Sequence, residues 1–434
     1  MNKKQWLNLI LSLLLIFTSS PLNAEEVSTP NIAAGAAILI DANTKTVLYE
    51  KNAYEKEYPA SITKLMTALL AIENLSPTDT ITFSTEAIFG IETGSSHIGI
   101  NVDEQLTVDQ ALHGLLLMSA NEVANGLAEA VSGSITAFTE LMNQRAKELG
   151  TLNTHFVNPH GLHDDNHYTT AYDMALIASY LADNAYFLQI MQDTTYQIPA
   201  TNKTNEIRYL YQQHKMLNPL RDAVIYREDV IGGKTGYTDQ ARHTLVTLAR
   251  QGDTTLVAVV LQSEKDALYP DTAKLLDYGF NSYYSLQLHT TSDIVKTLPV
   301  YSIKSGQAYQ AANCGLALTE DVSVVIPNTL TANDITLSFN IPDDLDTNIE
   351  INDKVGEVSF LLDSKIIAKS DLIVKQIEPL PEPDLNFYGF TTHSSYRLLF
   401  ITIIIAIVII LIIIWLIRKR NHKKKFSKIN RLFK

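Results

Sequence analysis

Apolar residues in the first part of the chain recur with two periods, one typical of strands and one typical of helices. Short apolar runs at 36–40 and 46–49 flank turn residues at 41–44, which predicts a β-hairpin. Further on, apolar positions recur at helical spacing. This spacing predicts helices over 65–70, 108–119, 121–131 and 135–149, the last one ended by Gly150.

The strand pattern returns after this helical stretch. It predicts strands over 231–238, 244–249 and 256–261, followed by a closing helix over 271–278. Early strands that pair with late strands around a cluster of helices form an α+β arrangement. The sequence therefore predicts one α+β domain over residues 31–280.

Residues 290–376 have a different sequence pattern, with short β-rich runs and no set of residues that suggests catalysis. We interpret them as a small β-rich domain, followed by a linker over 377–397 that prolines stiffen and extend. The predicted strands of this domain are 322–326, 335–339, 358–362 and 366–374.

The two ends of the chain carry apolar segments of different kinds. Residues 1–24 have two lysines before a short apolar core, which is typical of a secretory signal peptide; an uncleaved anchor is the alternative. Residues 398–417 are nearly all apolar and long enough to cross a bilayer core of about 30 Å as a helix. The tail, 418–434, has nine cations and no acid, so the positive-inside rule places it in the cytoplasm. We therefore expect a single-pass protein of the cell membrane with the bulk of the chain outside the cytoplasm.

Charge is divided unevenly along the chain. The formal charge is −13; the tail contributes nine positive charges and residues 1–24 contribute two, which leaves −24 for residues 25–417. So acidic a segment argues against nucleic acid as a partner. The basic tail can contact anionic membrane lipid, although a simple stop-transfer signal also explains it. Because Cys314 is the single cysteine, no intrachain disulfide can form, and the fold depends on its apolar core.

Three short motifs indicate the candidate chemistry. Each motif alone is weak evidence for an active site, but their order along the chain makes the set informative. Ser61 precedes an apolar helical run, and Lys64 follows at i+3, on the same helical face, as a candidate base for a serine nucleophile. The second motif adds a hydroxyl and an amide, and the third adds a cation and a tight strand. The motifs are Ser61-Ile-Thr-Lys64, Ser119-Ala-Asn121 and Lys234-Thr-Gly236.

The motifs and the residues around them resemble the D-alanyl-D-alanine carboxypeptidases, which are low-molecular-mass penicillin-binding proteins of the S11 peptidase family. The resemblance runs from about residue 31 to residue 376. It implies a serine β-lactamase/penicillin-binding transpeptidase-like domain, with a five-stranded antiparallel sheet and a helical cluster, followed by a small C-terminal β domain. The matching segments are 59–67, 119–124, 141–143, 156–162, 233–238 and 275–280.

The resemblance also implies a reaction, the removal of the terminal D-alanine from peptidoglycan stem peptides, with β-lactam antibiotics as covalent inhibitors. Ser61 would form an acyl-enzyme with Lys64 as its base, which requires a neutral amine. Burial and the nearby charge of Lys234 would both lower the pKa of Lys64. Ser119 would relay a proton towards the leaving amine. No metal or organic cofactor is required.

Substrate-binding roles follow from the same resemblance. Asn121 would hold the amide side of the substrate, and Lys234 with Thr235 would face the substrate carboxylate or the Ser119 hydroxyl. The substrate would lie against the strand at Gly236. The backbone N–H groups of Ser61 and Tyr237 would form the oxyanion hole.

One departure from the family pattern concerns arginine. The family commonly reads T-x-x-A-G after Lys-Thr-Gly, whereas this chain has Arg242 at the last position, and the family's arginine before the closing helix is Leu268 here. We hypothesise that Arg242 anchors the substrate carboxylate. The alternative is a surface arginine, because strand residues alternate faces and the sequence does not determine the register.

Four other readings stay open at this point. A histidine-rich segment could bind a metal, although its spacing fits no common zinc pattern. A serine β-lactamase is the nearest enzymatic alternative, but its E-x-x-L-N motif matches only Glu382–Asn386, which follows Lys234-Thr-Gly236 in the wrong order. A transpeptidase or endopeptidase would differ only in the acyl acceptor or the bond cleaved, and a catalytically idle wall-binding module would not need the complete motif set. The metal candidates are His155, His160, His163, His167, Asp164 and Asp165.

Overall fold

The structure is a computed structural model that describes residues 29–304, 306–382 and 391–429. The predicted signal peptide and part of the predicted linker and tail lie outside these residues. The chain divides into two compact units. The first contains the residues up to Asp293 with 318–340 and 357–371, and the second contains 294–317, 341–356 and 372 onward.

A five-stranded antiparallel sheet forms the centre of the first unit, as predicted. Its strand order is β2-β1-β9-β8-β7, so the first hairpin of the chain joins the last strands of the domain through β1 and β9. The strands are β1 (Ala36–Asp41), β2 (Val47–Lys51), β7 (Val230–Thr238), β8 (Arg242–Gln251) and β9 (Thr254–Ser263).

The turn between the first two strands shows how local sequence starts this sheet. Asp41 Oδ1 accepts hydrogen bonds from the backbone N–H groups of Asn43 and Thr44, at 3.1 and 2.8 Å. A side-chain acceptor of this kind stabilises a tight turn. The hairpin predicted from residues 36–49 is therefore confirmed.

Helices pack around the sheet and build the core. The sequence predicted the positions of α1, α3, α4 and α5, and it missed α2, α6 and α7. Side-chain oxygens of Thr107, Ser134, Thr170 and Asn184 cap α3, α5, α6 and α7. The helices are α1 (Lys64–Asn74), α2 (Thr85–Phe89), α3 (Val108–Leu117), α4 (Asn121–Ser132), α5 (Ile135–Glu148), α6 (Ala171–Leu181), α7 (Ala185–Gln192) and α8 (Lys265–Ser282).

Two short antiparallel pairs complete the helical side of the first unit. The first pairs β3 (Thr80–Thr82) with β4 (Gln105–Thr107), and the second pairs β5 (Thr195–Ile198) with β6 (Arg208–Tyr211). Neither pair was predicted from the sequence. Both consist of strands of three or four residues, too short for an alternating pattern to stand out.

The chain from residue 283 to residue 379 is rich in strands, as predicted. In the first unit β10 pairs with β13 and β14 pairs with β15; in the second unit β11 pairs with β12. The division into units does not coincide with the predicted boundary at 280–290, which stays a prediction. The strands are β10 (Tyr283–His289), β11 (Lys296–Lys304), β12 (Gln307–Leu318), β13 (Val322–Pro327), β14 (Ile335–Asn340), β15 (Lys354–Leu362) and β16 (Lys365–Pro379).

The last element is a long helix, α9 (Thr391–Ile429). Its segment Leu399–Arg418 has a mean hydropathy of 3.6 and is not buried inside the protein. Such a helix is long and apolar enough to cross a membrane. It is the candidate for the membrane span predicted at 398–417.

Candidate active site

The candidate nucleophile lies on a single turn of 3-10 helix, Ala60–Thr63, directly before α1. Lys64 is the first residue of α1, and its Nζ is 3.0 Å from Ser61 Oγ. A separation of three residues on a helical turn brings the two side chains to the same face. The pairing expected from the S-x-x-K motif is therefore present.

Lys64 is held by two further contacts that limit what its amine can do. Its Nζ is 2.7 Å from Asn121 Oδ1 and 2.6 Å from the carbonyl oxygen of His160, and both of these atoms only accept hydrogen bonds. A neutral amine has two N–H groups and one lone pair. With both N–H groups donated to these acceptors, the lone pair is left for the hydroxyl proton of Ser61.

Burial favours this neutral form. Lys64 is fully buried, and burial, helped by the charge of Lys234, lowers its pKa well below the usual value of 10.5, against an opposing effect of Glu122. Removing an ammonium from water disfavours its charge. The neutral amine that a general base requires is thus supported by the surroundings of Lys64.

Ser119 follows α3 in a strained conformation. Its φ of 61° is in the left-handed region, which is uncommon for a residue other than glycine. Its Oγ is buried and has no hydrogen-bond partner among the residues that the structure describes. Strained backbone of this kind concentrates at functional sites. The hydroxyl remains available to a bound substrate.

The Lys-Thr-Gly motif lies on β7, which passes close to the nucleophile. A side chain at Gly236 would place its Cβ 2.8 Å from the backbone nitrogen of Ser61 and 2.4 Å from Thr244 Oγ1. Only glycine allows the strand to approach so closely. Lys234 is buried, which lowers its pKa to about 7, and its Nζ donates to the carbonyl oxygen of Thr235.

These residues open onto a groove of about 590 Å³ in the first unit. Asn121 is buried behind it, with its amide oxygen on Lys64, so the groove lining does not include the amide expected to hold substrate. The groove is lined by Ser61, Ser96, Met118, Ser119, Gln213, Lys215, Arg221, Ile225, Thr235, Gly236, Tyr237, His243, Lys265, Asp266, Leu268, Tyr269 and Pro270.

Arg242 is not among the residues that line this groove. It begins β8 opposite Thr238, and its guanidinium forms an ion pair with Glu264 at the surface. Its φ of 57° explains why a glycine suits this position, since glycine adopts a positive φ without strain. The anchoring role proposed for Arg242 stays a prediction, with its guanidinium engaged elsewhere.

Two contributors were not assigned from the sequence. The His160 carbonyl is one of the two acceptors that hold Lys64, and Gly161 beside it has a φ of 86°. A Cβ at Gly161 would lie 1.9 Å from the carbonyl oxygen of Ala60, so only glycine fits behind the nucleophile turn. The match of segment 156–162 to a family motif was the one sequence feature that could have indicated a role for these two residues.

The histidine-rich segment is engaged in hydrogen bonds. His167 Nε2 is 2.8 Å from Thr63 Oγ1, and His155 Nδ1 is 2.7 Å from the carbonyl oxygen of Asn166. Within residues 29–304, 306–382 and 391–429, no group of three or more His, Cys, Asp or Glu side chains is arranged to hold a metal ion. His167 instead ties this segment to the turn that carries Ser61.

Comparison with known proteins extends these observations to most of the chain. A model of the D-alanyl-D-alanine carboxypeptidase family, peptidase S11, matches residues 23–265, and a model of the C-terminal domain of penicillin-binding protein 5 matches residues 283–378. D-alanyl-D-alanine carboxypeptidase DacF of Bacillus subtilis is 30% identical over 83% of this chain and 87% of its own length. DacA of Escherichia coli is also 30% identical, over 83% of this chain and 86% of its own.

Solved structures give the same result. Penicillin binding protein 5 from Haemophilus influenzae is 25% identical and superposes with a TM-score of 0.68, covering 81% of this chain and 99% of that chain. The penicillin-binding protein fold expected from the motifs is therefore confirmed, together with the β-rich region that follows it. The chain belongs to the S11 peptidase family of D-alanyl-D-alanine carboxypeptidases.

Proposed function

We propose that the protein is a serine-type D-alanyl-D-alanine carboxypeptidase that cleaves peptidoglycan stem peptides through an acyl-enzyme on Ser61. The single observation that carries this proposal is the geometry of Lys64. Its Nζ lies 3.0 Å from Ser61 Oγ while two carbonyl-type acceptors occupy its N–H groups. A lone pair directed at the serine hydroxyl activates a nucleophile that is weak in isolation.

The reaction would proceed in two halves. Ser61 Oγ attacks the carbonyl carbon of the penultimate D-alanine as its proton moves to Lys64. The backbone N–H groups of Ser61 and Tyr237 stabilise the oxyanion. The peptide C–N bond then breaks, and the leaving amine of the terminal D-alanine takes a proton through Ser119. Water attacks the ester, returns a proton to the enzyme and releases the shortened peptide.

The motif strand would bind the substrate alongside this chemistry. Thr235, Gly236 and Tyr237 line the groove, so an extended peptide can lie against β7. Lys234 Nζ donates a hydrogen bond to the carbonyl oxygen of Thr235, and when protonated it would supply positive charge for the substrate carboxylate or the Ser119 hydroxyl. Asn121, which contacts Lys64, would position the base in addition to any contact with substrate. Penicillins would acylate Ser61 by the same attack.

The decisive experiment is turnover of diacyl-L-Lys-D-Ala-D-Ala by the purified protein. We expect the enzyme to release one free D-alanine for each shortened peptide, and mass spectrometry can measure both products. A product joined to an added amine would indicate a transpeptidase. If the protein is incubated with penicillin instead, rapid release of penicilloate would indicate a β-lactamase. Penicillin labelling without any peptide turnover would favour an idle binding module.

We also propose that α9 anchors the protein in the cell membrane, with the catalytic domain outside the cytoplasm and the basic tail inside. The apolar exposed segment Leu399–Arg418 and the basic residues after it support this topology. Contact of the tail with anionic lipid is part of the same proposal.

Removal of the anchor should separate the enzyme from the membrane without loss of activity. A protein of residues 25–385 is expected to remain in the supernatant after ultracentrifugation and to hydrolyse the soluble peptide at the rate of the full chain, because the three motifs precede residue 240. The full chain, extracted with detergent, is the control. A truncated protein that still pellets with membranes would contradict the topology.

A further inference from the structure

The carboxypeptidase substrate ends in a free carboxylate, and the groove has several cations that could meet it. This inference rests on the proposed function. The side chains of Lys215, Arg221 and Lys265 line the groove, together with His243. A carboxylate accepts strong hydrogen bonds from a cationic side chain, and a cation already paired with an acid of the protein is less available for it.

Two of these groups are poorly suited. Lys215 Nζ forms an ion pair with Asp222 at 3.0 Å. The ring of His243 packs against that of Tyr237, and burial, with Lys265 nearby, lowers the pKa of His243, so its imidazole is neutral at working pH. Neither group offers an unpaired positive charge.

Lys265 is exposed, but acids surround it. It lies between Glu264 and Asp266, and Asp266 also lines the groove. A carboxylate that approached Lys265 would meet these negative charges. An ammonium is also strongly hydrated and makes point contacts only.

Arg221 differs from the other groove cations. It is exposed, on a turn in which its backbone N–H donates to the carbonyl oxygen of Asn218, and its guanidinium has no hydrogen-bond or ion-pair partner within the part of the chain that the structure describes. Its charge acts on the hydroxyl of Tyr269. Burial raises the pKa of Tyr269, while the hydrogen bond from the backbone N–H of Lys215 and the charge of Arg221 lower it. The charge of Asp222, which is paired with Lys215, opposes them. Arg221 therefore lies near the start of α8.

The surroundings of Arg221 suit a small apolar residue. Ile225 and Leu268 line the same groove, and Leu268 directly precedes Tyr269 in α8. Apolar side chains beside a guanidinium offer a contact for a methyl group next to a contact for a carboxylate. Those are the two recognisable features of a terminal D-alanine.

We propose that Arg221 binds the terminal carboxylate of the substrate, with Ile225 and Leu268 against the methyl group of the terminal D-alanine. A guanidinium binds a carboxylate through two parallel hydrogen bonds. The family's arginine position is occupied by Leu268, and the cation comes from the 218–226 segment instead. Arg221 would thus determine specificity for a free C-terminus.

The test compares a free-acid peptide with its C-terminal amide. Arg221→Ala is expected to lower kcat/KM for the free acid by about 10- to 100-fold, the scale of a charged hydrogen bond, and to change that for the amide by less than about threefold. Arg221→Lys should recover part of the loss. The exposed Lys203→Ala, outside the groove, is the charge-matched control and should behave as the unmodified protein.

Two competing variants make the result decisive. Arg242→Ala and Lys265→Ala are measured with the same pair of peptides. The proposal would be overturned if kcat/KM for the free acid alone fell in either of these variants while Arg221→Ala was unaffected. It would also be overturned if Arg221→Ala lowered kcat/KM equally for both peptides. Acylation by penicillin and by its methyl ester gives the same comparison without peptide turnover. Failure of both peptide hydrolysis and penicillin labelling in the unmodified protein would instead reject the proposed function.

Discussion

Replacing Ser61 by alanine is expected to abolish covalent labelling by penicillin and to lower peptide hydrolysis by at least about a thousandfold. The acyl-enzyme forms on this hydroxyl, and no other nucleophile lies at 3.0 Å from the amine of Lys64 among the described residues. Fluorescent penicillin, followed by gel electrophoresis and peptide mass spectrometry, measures the adduct directly.

The same experiment needs a test of folding and a matched serine. Ser61 is only partly buried, so the alanine variant should keep its circular dichroism spectrum and melting temperature. Ser292→Ala, at an exposed position outside the groove, should label normally. A penicilloyl adduct located on any residue other than Ser61 would refute the assignment of the nucleophile.

Replacing Lys64 by arginine should be almost as damaging. Arginine keeps its positive charge at every working pH, so it has no lone pair to accept the proton of Ser61. General-base catalysis contributes about a hundred- to ten-thousandfold, and we expect a loss of acylation rate in that range. The rate constant for penicillin acylation, measured by stopped-flow or quenched labelling, tests this expectation.

The buried position of Lys64 calls for a second variant. Lys64→Met gives an unbranched, uncharged side chain only one atom shorter than lysine, so it should fold if arginine does not fit and should still fail to acylate. In the unmodified protein the acylation rate should fall as the pH is lowered through the pKa of Lys64, because protonation removes the lone pair. Near-normal acylation by a folded Lys64→Arg or Lys64→Met protein would disprove the base assignment.

Much of the first unit could be predicted because its strands and helices are long and periodic. The hairpin, the three helices predicted between residues 108 and 149, and the three late strands are all present. The helix predicted from Asp271 in fact begins at Lys265 and continues through Pro270, a residue that usually interrupts helices. Packing against β9 and β8 outweighs this local preference.

The candidate site could be predicted as a set of residues but not as a set of contacts. Spacing at i+3 was sufficient to pair Ser61 with Lys64, since both lie on one helical turn. The partner of Asn121 and the partner of Arg242 depend on tertiary structure, so sequence alone could not assign them. The left-handed conformation of Ser119 was equally hidden, because nothing in a serine indicates a positive φ.

Strained backbone at Ala60, in the nucleophile turn, and at Ser119, after α3, has a consequence for how the protein tolerates change. Ala60 and Ser119 both have a positive φ without being glycine, which costs about 1–3 kcal/mol each. A domain is typically stable by only about 5–15 kcal/mol after such costs have been subtracted, so this strain is of the same order as the stability that remains. Substitutions deep in the core, remote from any substrate, will therefore reduce the number of folded molecules per cell before they alter the rate of each one.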